Sequence, residues 1–271
     1  MTVGTLAKMT AQLAEPVEYQ LPIGEQKIGL NQFLGQEITL KHTGNIYCSN
    51  CGNKTKKSFS QGYCFPCMRA LARCDMCIMK PETCHYHEGT CREPEWGEQN
   101  CFVPHYVYLS NTSGLKVGIT RHTQIPTRWI DQGATQATIM FKVSTRQQSG
   151  FVEDAFKKLI ADKTNWRAML KGNADNIDLI AKAEQLKSEM SKDLDNIIAG
   201  FDIGDIEAVD SDITLIDYPV LNFPEKITSH NFDKNPVVSG VLQGIKGQYL
   251  LLDTGVINIR KFTSYEVEFS A

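Results

Sequence analysis

Apolar and polar residues alternate with a period of two at both ends of the chain, as in strands that bury one face. Near the start this pattern covers residues 17–21 and 37–41. Near the end it covers residues 249–252, 256–259 and 265–269. Proline and glycine separate the runs, so we predict short strands joined by tight turns.

Three basic residues, Lys246, Arg260 and Lys261, accompany the C-terminal strands. A charge on an exposed strand edge discourages pairing with another chain. We therefore predict that these side chains are exposed at the edge of the sheet.

In the middle of the chain, segments in which apolar and polar residues alternate are followed by segments in which apolar residues recur every three to four positions. Residues 106–110 and 115–120 predict a hairpin around the turn at 111–114, and residues 138–143 predict a third strand. Pro126 opens a short helical segment. Apolar residues then recur at helical spacing over residues 151–160, with Glu153 in the first turn, and again over residues 174–200.

These patterns predict an α+β protein with small β segments at both ends, a cysteine-rich metal module and a central sheet with helices. Residues 202–236 lose any period and gain glycine, proline and aspartate, which is typical of a linker or a wrapping segment. The predicted units are an N-terminal β region (1–47), a metal module (48–105), a central domain (106–172), a helix (173–200), a linker or wrapping segment (201–236) and a C-terminal β region (237–271).

All nine cysteines lie between Cys48 and Cys101. Two Cys-x-x-Cys knuckles, Cys48/Cys51 and Cys64/Cys67, have the spacing of a zinc ribbon that binds Zn²⁺ through four thiolates. Glycine and proline within or beside the knuckles favour the tight turns such a site needs.

A second group of possible ligands follows, and its assignment is less direct. We predict a second zinc site formed by Cys74, Cys77, Cys84 and Cys91, with His87 and Cys101 as the first substitutes. One site with spare thiols is an alternative. An iron–sulfur cluster is another, because cysteine thiolates hold either metal.

Composition places the chain among ordinary globular proteins, with 42% hydrophobic and 22% charged residues. It has no apolar run long enough to span a membrane, and its first residues lack the pattern of a signal peptide. We therefore expect a cytoplasmic protein without a membrane partner, in a reducing compartment that favours metal sites over disulfides.

The net charge of −3 conceals a segregation of charge along the chain. Residues 41–80 carry seven basic residues against Asp75 alone, and residues 101–171 carry ten against four acidic ones. Such a basic face can displace counterions from phosphates, so we predict a nucleic-acid partner, DNA or RNA. The candidate contacts are Lys54, Lys56, Lys57, Arg73, Arg121 and Arg128, with Phe59, Tyr63 and Phe65 as stacking surfaces.

Four short segments occur in a characteristic order: Tyr106-Val107-Tyr108, Lys116-Val117-Gly118, Arg128-Trp129 and Val152-Glu153-Asp154. In type and order they resemble the motifs of the GIY-YIG nuclease superfamily, in particular its phage-type branch. Together with the cysteine segment, the chain also resembles a bacterial protein family without an established activity.

The resemblance implies a three-stranded sheet with helices and a metal-dependent phosphodiesterase site. By this resemblance Glu153 would hold Mg²⁺, Arg128 would grip phosphate oxygens, and Tyr108 would orient or deprotonate water. Lys116 departs from the family because it replaces a tyrosine. A lysine acts as a base only where burial or a neighbouring cation lowers its pKa.

The sequence thus favours a zinc-containing nucleic-acid-binding protein and leaves open whether it is an enzyme. A non-catalytic binder of RNA or ribonucleoprotein and a zinc-ribbon adaptor for protein partners are the alternatives. If catalysis is absent, Tyr108 and Trp129 would pack in a small core, and Arg128 and Glu153 would pair with one another.

Overall fold

A computed structural model describes residues 1–160 and 162–271, which form strands and helices in a mixed arrangement. The α+β class expected from the sequence is confirmed. The strands are β1 (Thr2–Thr5), β2 (Thr10–Gln12), β3 (Glu18–Ile23), β4 (Gln26–Gly29), β5 (Glu37–Ile46), β6 (His105–Asn111), β7 (Leu115–Arg121), β8 (Gln136–Val143), β9 (Ile206–Ala208), β10 (Thr214–Leu215), β11 (Val237–Lys246), β12 (Tyr249–Leu252), β13 (Gly255–Asn258) and β14 (Tyr265–Ser270).

The α-helices are α1 (Phe65–Ala70), α2 (Pro94–Cys101), α3 (Thr127–Asp131), α4 (Arg146–Phe156), α5 (Trp166–Met169), α6 (Leu179–Glu189) and α7 (Ser191–Ile198). Single 3-10 turns occupy much of the cysteine-rich segment, at Ala72–Cys74, Met76–Ile78, Pro81–Thr83 and Tyr86–Glu88. Within the described chain, none of the helices combines the length and the apolar character that crossing a membrane requires.

The two ends of the chain form one antiparallel sheet, in the order β1-β14-β5-β11-β12-β13. Alternate residues of its strands, among them Leu40, Val238 and Val267, are buried in a common core. The smaller sheet β2-β3-β4 contributes Tyr19 and Leu21 to the same core. Regions that are more than 200 residues apart in sequence are therefore held together by direct strand pairing, as between Val267 and His42.

The central sheet has the order β10-β8-β6-β7, and β9 also pairs with β8. The predicted hairpin is present as β6 and β7, and the predicted third strand is β8. Residues 206–208 and 214–215 of the aperiodic segment pair with β8, and Ile216 and Tyr218 beyond them are buried. The division of the chain into units proposed from the sequence stays a prediction.

Both faces of the central sheet are covered. One face packs on α4, α6 and α7, where Val107, Val117, Phe156 and Leu186 share a core. On the other side, Tyr108 and residues of α3 belong to the core of the terminal sheets. The Tyr218 hydroxyl donates a hydrogen bond to the Ala134 carbonyl at 2.8 Å, which fixes the loop that follows α3.

Two predicted helices differ from those observed. Helix α4 begins at Arg146, because Thr145 and Gln148 form a capping box, so that Glu153 lies in its second half. The helix expected at 174–200 is two helices, α6 and α7, which meet at Met190. The Asp178 side chain accepts from the Ala181 amide at 3.0 Å, and α6 starts at Leu179, five residues later than expected.

Lys246 is buried, and the prediction that it is an exposed edge residue is wrong. It ends β11, which lies between β5 and β12 and is therefore an inner strand. Its ammonium group donates to the Gly172 carbonyl and to Asn173 Oδ1, both at 2.9 Å. Burial lowers the pKa of Lys246 to about 8.

Candidate metal centres and a buried polar site

The first two cysteine knuckles converge on one point. Cys48 and Cys51 lie in the turn that follows β5, where the Gly52 amide donates to the Cys48 carbonyl at 2.9 Å. Cys64 is the N-cap of the short helix α1, which also carries Cys67. The ligand atoms of all four cysteines lie within 4.8 Å of one another, and the sulfurs of Cys51 and Cys64 are 3.8 Å apart.

This geometry suits a single tetrahedral ion, because bonds of about 2.3 Å place four sulfurs about 3.8 Å apart. Burial raises the pKa of Cys48, but the backbone amides of Cys51, Cys64 and Asn50 more than offset it and lower the pKa to about 6. A side-chain hydrogen bond with Cys64 raises the pKa of Cys67 to about 12. The cluster could hold a metal ion, and its thiolate donors suit zinc.

Side-chain hydrogen bonds hold this four-cysteine module against the loop between β13 and β14. The hydroxyls of Ser49 and Ser264 lie 2.7 Å apart, and Ser264 also donates to the Gly62 carbonyl at 2.7 Å. Arg260 Nε donates to Gln61 Oε1 at 2.6 Å. The metal module and the C-terminal strands therefore present a joint surface.

The remaining cysteines do not gather as the predicted set. Cys77, Cys84, Cys91 and Cys101 line one cavity, whereas Cys74 is not among its lining residues. Burial raises the pKa of Cys74, and a hydrogen bond from the Ser60 side chain offsets part of this rise. Asp75, Cys77 and His85 form a second set of potential ligands within 4.8 Å.

The residues of the proposed phosphodiesterase site come from four different elements. Tyr108 lies on β6 and Lys116 on β7, while Arg128 lies on α3 and Glu153 on α4. Tyr108 is fully buried, and Lys116 and Glu153 are 3% and 9% exposed. The charges of Arg128 and Glu153 shift the pKa values of both Tyr108 and Lys116. Folding thus brings the four side chains into one electrostatic neighbourhood.

Tyr108 packs edge-on against Trp129, with ring centroids 6.0 Å apart, and its hydroxyl donates to Gln132 Oε1 at 2.8 Å. Burial raises the pKa of Tyr108, and the Arg128 guanidinium offsets only part of this rise. The phenol is therefore protonated at neutral pH and acts as a positioned hydrogen-bonding group rather than as a base.

Lys116 is buried close to the charge of a second cation, Arg128. Burial lowers the pKa of Lys116 to about 8, and the Arg128 guanidinium adds to this effect, while Glu153 and Asp162 oppose it. A lysine with such a pKa is neutral in an appreciable fraction of molecules near neutral pH. Burial and a neighbouring cation therefore lower the pKa of Lys116, as a base at this position would require.

Glu153 pairs with a residue other than Arg128. Its Oε2 lies 3.1 Å from Lys157 Nζ, one helical turn later on α4. Burial raises the pKa of the Glu153 carboxyl, and Lys157 offsets part of this rise. The ion pairs within residues 1–160 and 162–271 do not include one between Arg128 and Glu153.

The basic residues proposed as nucleic-acid contacts are only partly assembled. Lys56 and Lys57 line a cavity of about 670 Å³ together with Arg260, Lys261 and Tyr265. Lys54 is exposed on the same module. Burial lowers the pKa of Arg260, and the nearby charge of Arg128 adds to this effect. Two further predicted contacts also touch other residues: Arg73 lies over the Trp96 ring at 5.9 Å, and Arg121 donates to Asn100 Oδ1.

The proposed stacking rings are partly engaged. Phe59 and Phe65 pack edge-on at 5.5 Å, Lys57 lies over the Phe59 ring at 5.3 Å, and Arg69 lies over Phe65 at 5.9 Å. Tyr63 pairs with Phe59 through the backbone. Phe59 and Tyr63 are half-buried, whereas Phe65 keeps 49% of its surface exposed.

The sequence analysis did not identify Gln132 or Lys157 as members of these sites, and it gave Cys101 only as a substitute ligand. Lys157 follows Glu153 by four residues, which is the spacing of a helical ion pair and could have been noticed. Gln132 and the grouping of Cys101 with Cys77 depend on tertiary contacts and leave no local signal.

One family model, described as "Protein of unknown function (DUF2797)", matches residues 35–267, which include the first four-cysteine cluster, the second cysteine group and the Tyr108 site. No curated protein and no solved structure matches the chain.

Proposed function

Since the chain belongs to the DUF2797 family of proteins of unknown function, its activity has to be inferred from the residues that it brings together. We propose that it is a zinc-containing nucleic-acid-binding protein that hydrolyses phosphodiester bonds with the help of a divalent metal ion. The observation that carries this proposal is the convergence of Tyr108, Lys116, Arg128 and Glu153, whose charges affect one another's pKa values.

Each of these side chains suits one requirement of phosphodiester hydrolysis. Lys116, with a pKa lowered to about 8 by burial, takes a proton from the attacking water. Arg128 offsets the charge that develops on the phosphate oxygens. Tyr108, held by Gln132 at 2.8 Å, positions the water or the phosphate.

Glu153 is the residue that would bind the metal ion. Its carboxylate supplies hard oxygen atoms, and the ion pair with Lys157 involves Oε2 at 3.1 Å. A bound Mg²⁺ would supply Lewis-acid stabilisation of the phosphate oxygens. The raised pKa of the Glu153 carboxyl, caused by burial, marks a carboxylate that gains from a neighbouring cation.

The basic cavity provides the means to hold a polyanion next to this site. Lys56, Lys57, Arg260 and Lys261 line it, and Arg260 is close enough to Arg128 for the charge of one to affect the other. A nucleic-acid strand bound in the cavity would place its phosphates against these basic residues and extend toward Arg128. Zinc in the four-cysteine cluster would keep Lys56 and Lys57 in place.

The test is cleavage of labelled single- and double-stranded DNA and RNA with Mg²⁺ or Mn²⁺. We expect cleavage of at least one substrate and its loss in Glu153→Gln and Lys116→Met. Glu207→Gln, at an exposed carboxylate on β9, is the matched control and should cleave normally. Absence of cleavage with every substrate and metal would exclude the hydrolase.

A second candidate is a non-catalytic binder of RNA or ribonucleoprotein. It is favoured by the ion pair between Glu153 and Lys157, which already neutralises the proposed metal ligand. In this case binding to labelled RNA should persist in Glu153→Gln and weaken steeply with salt. Binding that requires Glu153 or Mg²⁺ would argue against it.

A further inference from the structure

The second cysteine group encloses a small cavity between the 3-10 turns and α2. Four thiols line it, those of Cys77, Cys84, Cys91 and Cys101, together with the rings of Tyr86, Trp96 and Phe102. A β-carbon at Gly97 would lie 3.6 Å from the Cys91 sulfur, so the absence of a side chain there leaves room beside the thiols. All four cysteines are free thiols.

Their spacing differs from that of the first cluster. The ligand atoms of Cys48, Cys51, Cys64 and Cys67 all lie within 4.8 Å, as one tetrahedral ion requires, whereas Cys77, Cys84, Cys91 and Cys101 do not form such a set. A cube of iron and sulfide places its four thiolates farther apart, at about 6 Å, because the cluster fills the space between them. A wide tetrad around a cavity fits this larger centre.

The alternative set of Asp75, Cys77 and His85 suits a metal less well. Asp75 Oδ1 accepts from the Met76 amide at 2.5 Å, and Oδ2 accepts from Arg92 Nε at 2.6 Å. Both oxygens of Asp75 are therefore occupied. The His85 ring lies with Nδ1 2.7 Å from the Thr90 hydroxyl and Nε2 3.6 Å from Asp75 Oδ2.

Arg146 provides an independent observation. Its Nη2 donates to the Ile78 carbonyl at 2.7 Å, but its Nε is buried without a hydrogen-bond partner. Burial lowers the pKa of Arg146. The negative charge of Cys101 is the largest effect that opposes this, and the charge of Cys77 also contributes. A negatively charged group at the thiols would accept the unpaired N–H.

We propose that Cys77, Cys84, Cys91 and Cys101 bind a [4Fe–4S] cluster that accepts a hydrogen bond from Arg146. The cluster carries net negative charge with four thiolates, which explains a buried arginine beside it. Arg146 and Gln147 at the start of α4 reach the Ile78 and Cys84 carbonyls at 2.7 and 3.3 Å. Through Arg146 and Gln147, the cysteine-rich turns that bind the cluster contact α4, the helix that carries Glu153.

The test is anaerobic purification of the whole chain, with measurement of iron, acid-labile sulfide, zinc and the electron paramagnetic resonance spectrum after reduction. We expect about four iron and four sulfide per chain and one zinc in the first centre. Cys84→Ser and Cys101→Ser should lose iron and keep zinc. Cys74→Ser is the matched control and should keep both.

Two zinc ions without iron in the anaerobic wild-type protein would overturn the proposal, and this measurement does not depend on whether the variants fold. Loss of iron in Cys74→Ser with retention in Cys101→Ser would overturn the ligand set. Arg146→Gln should retain iron but shift the reduction potential of the cluster. An unchanged potential would contradict the hydrogen bond from Arg146.

Discussion

A β-carbon at position 118 would lie 2.6 Å from the Tyr108 hydroxyl oxygen. The two residues are direct partners across the β6–β7 pair, so the Tyr108 side chain extends over the backbone of Gly118. Glycine is therefore required here by the close approach of a ring rather than by an unusual backbone angle. The same approach puts the phenol beside Gln132 and the charges of Arg128 and Glu153.

Gly118→Ala should displace the Tyr108 ring from this position. Because that ring is fully buried and packed on Trp129, we expect a loss of about 1–3 kcal/mol in the free energy of unfolding. Cleavage should fall at least tenfold. Gly172→Ala is the control, since a β-carbon there meets nothing within 4 Å. Equal melting temperatures and equal cleavage rates for the two variants would contradict the role assigned to Gly118.

Lys116→Met should stabilise the protein at neutral pH while abolishing cleavage. The pKa of Lys116 falls from 10.5 to about 8 on folding, mainly through burial. Below pH 8 the folded state bears the whole cost of burying the ammonium group, roughly 3 kcal/mol. Between pH 8 and 10.5 the unfolded chain binds more protons, so wild-type stability rises with pH and the advantage of methionine disappears.

Denaturant unfolding at pH 7 and at pH 10 measures this difference. Lys142→Met, at an exposed lysine of the same sheet, should change stability by less than about 0.5 kcal/mol at both pH values. A Lys116→Met variant that is less stable than wild type at pH 7 would show that the ammonium group is well solvated or paired.

Removal of metal from the first centre should loosen the basic surface. Metal binding to a thiolate tetrad contributes directly to folding, and the module presents Lys56 and Lys57 to the cavity. We expect Cys48→Ser to lose one zinc per chain, to melt at a lower temperature and to bind nucleic acid more weakly. Cys74→Ser should retain that zinc by elemental analysis. Full zinc content in Cys48→Ser would contradict the assignment.

The salt dependence of binding should identify the phosphate contacts. Each lysine that neutralises a phosphate of duplex DNA contributes about −0.9 to the slope of log K against log salt, so its removal makes the slope less steep by that amount. The double variant Lys57→Ala/Lys261→Ala should therefore bind more weakly, with a slope smaller by nearly 2. Lys27→Ala, exposed on β4, should leave the slope unchanged. A slope unaffected by the double variant would place the polyanion elsewhere.

The elements that depend on neighbouring residues could be predicted from the sequence. The β6–β7 hairpin, β8 and the C-terminal strands follow from alternation with a period of two. The first cysteine cluster follows from the spacing of two knuckles, because each knuckle is a local turn. The early start of α4 was also readable, since Thr145 and Gln148 have the spacing of a capping box.

The remaining features depend on which segments meet in space. Lys246 looked like an edge residue and is buried because β12 pairs beyond β11. The seven cysteines and histidines between Cys74 and Cys101 offered several ligand sets, and only the folding of the 3-10 turns against α2 groups Cys101 with Cys77.

The sequence by itself determined the β6–β7 hairpin, β8 and the C-terminal strands, the knuckles and the residue types of the Tyr108 site, since local backbone geometry and short spacing specify them. Tertiary structure alone decided the joining of both chain ends in one sheet, the environment of Lys116 and the unpaired Nε of Arg146. Burial and charge proximity depend on contacts between distant residues, and no local pattern records them.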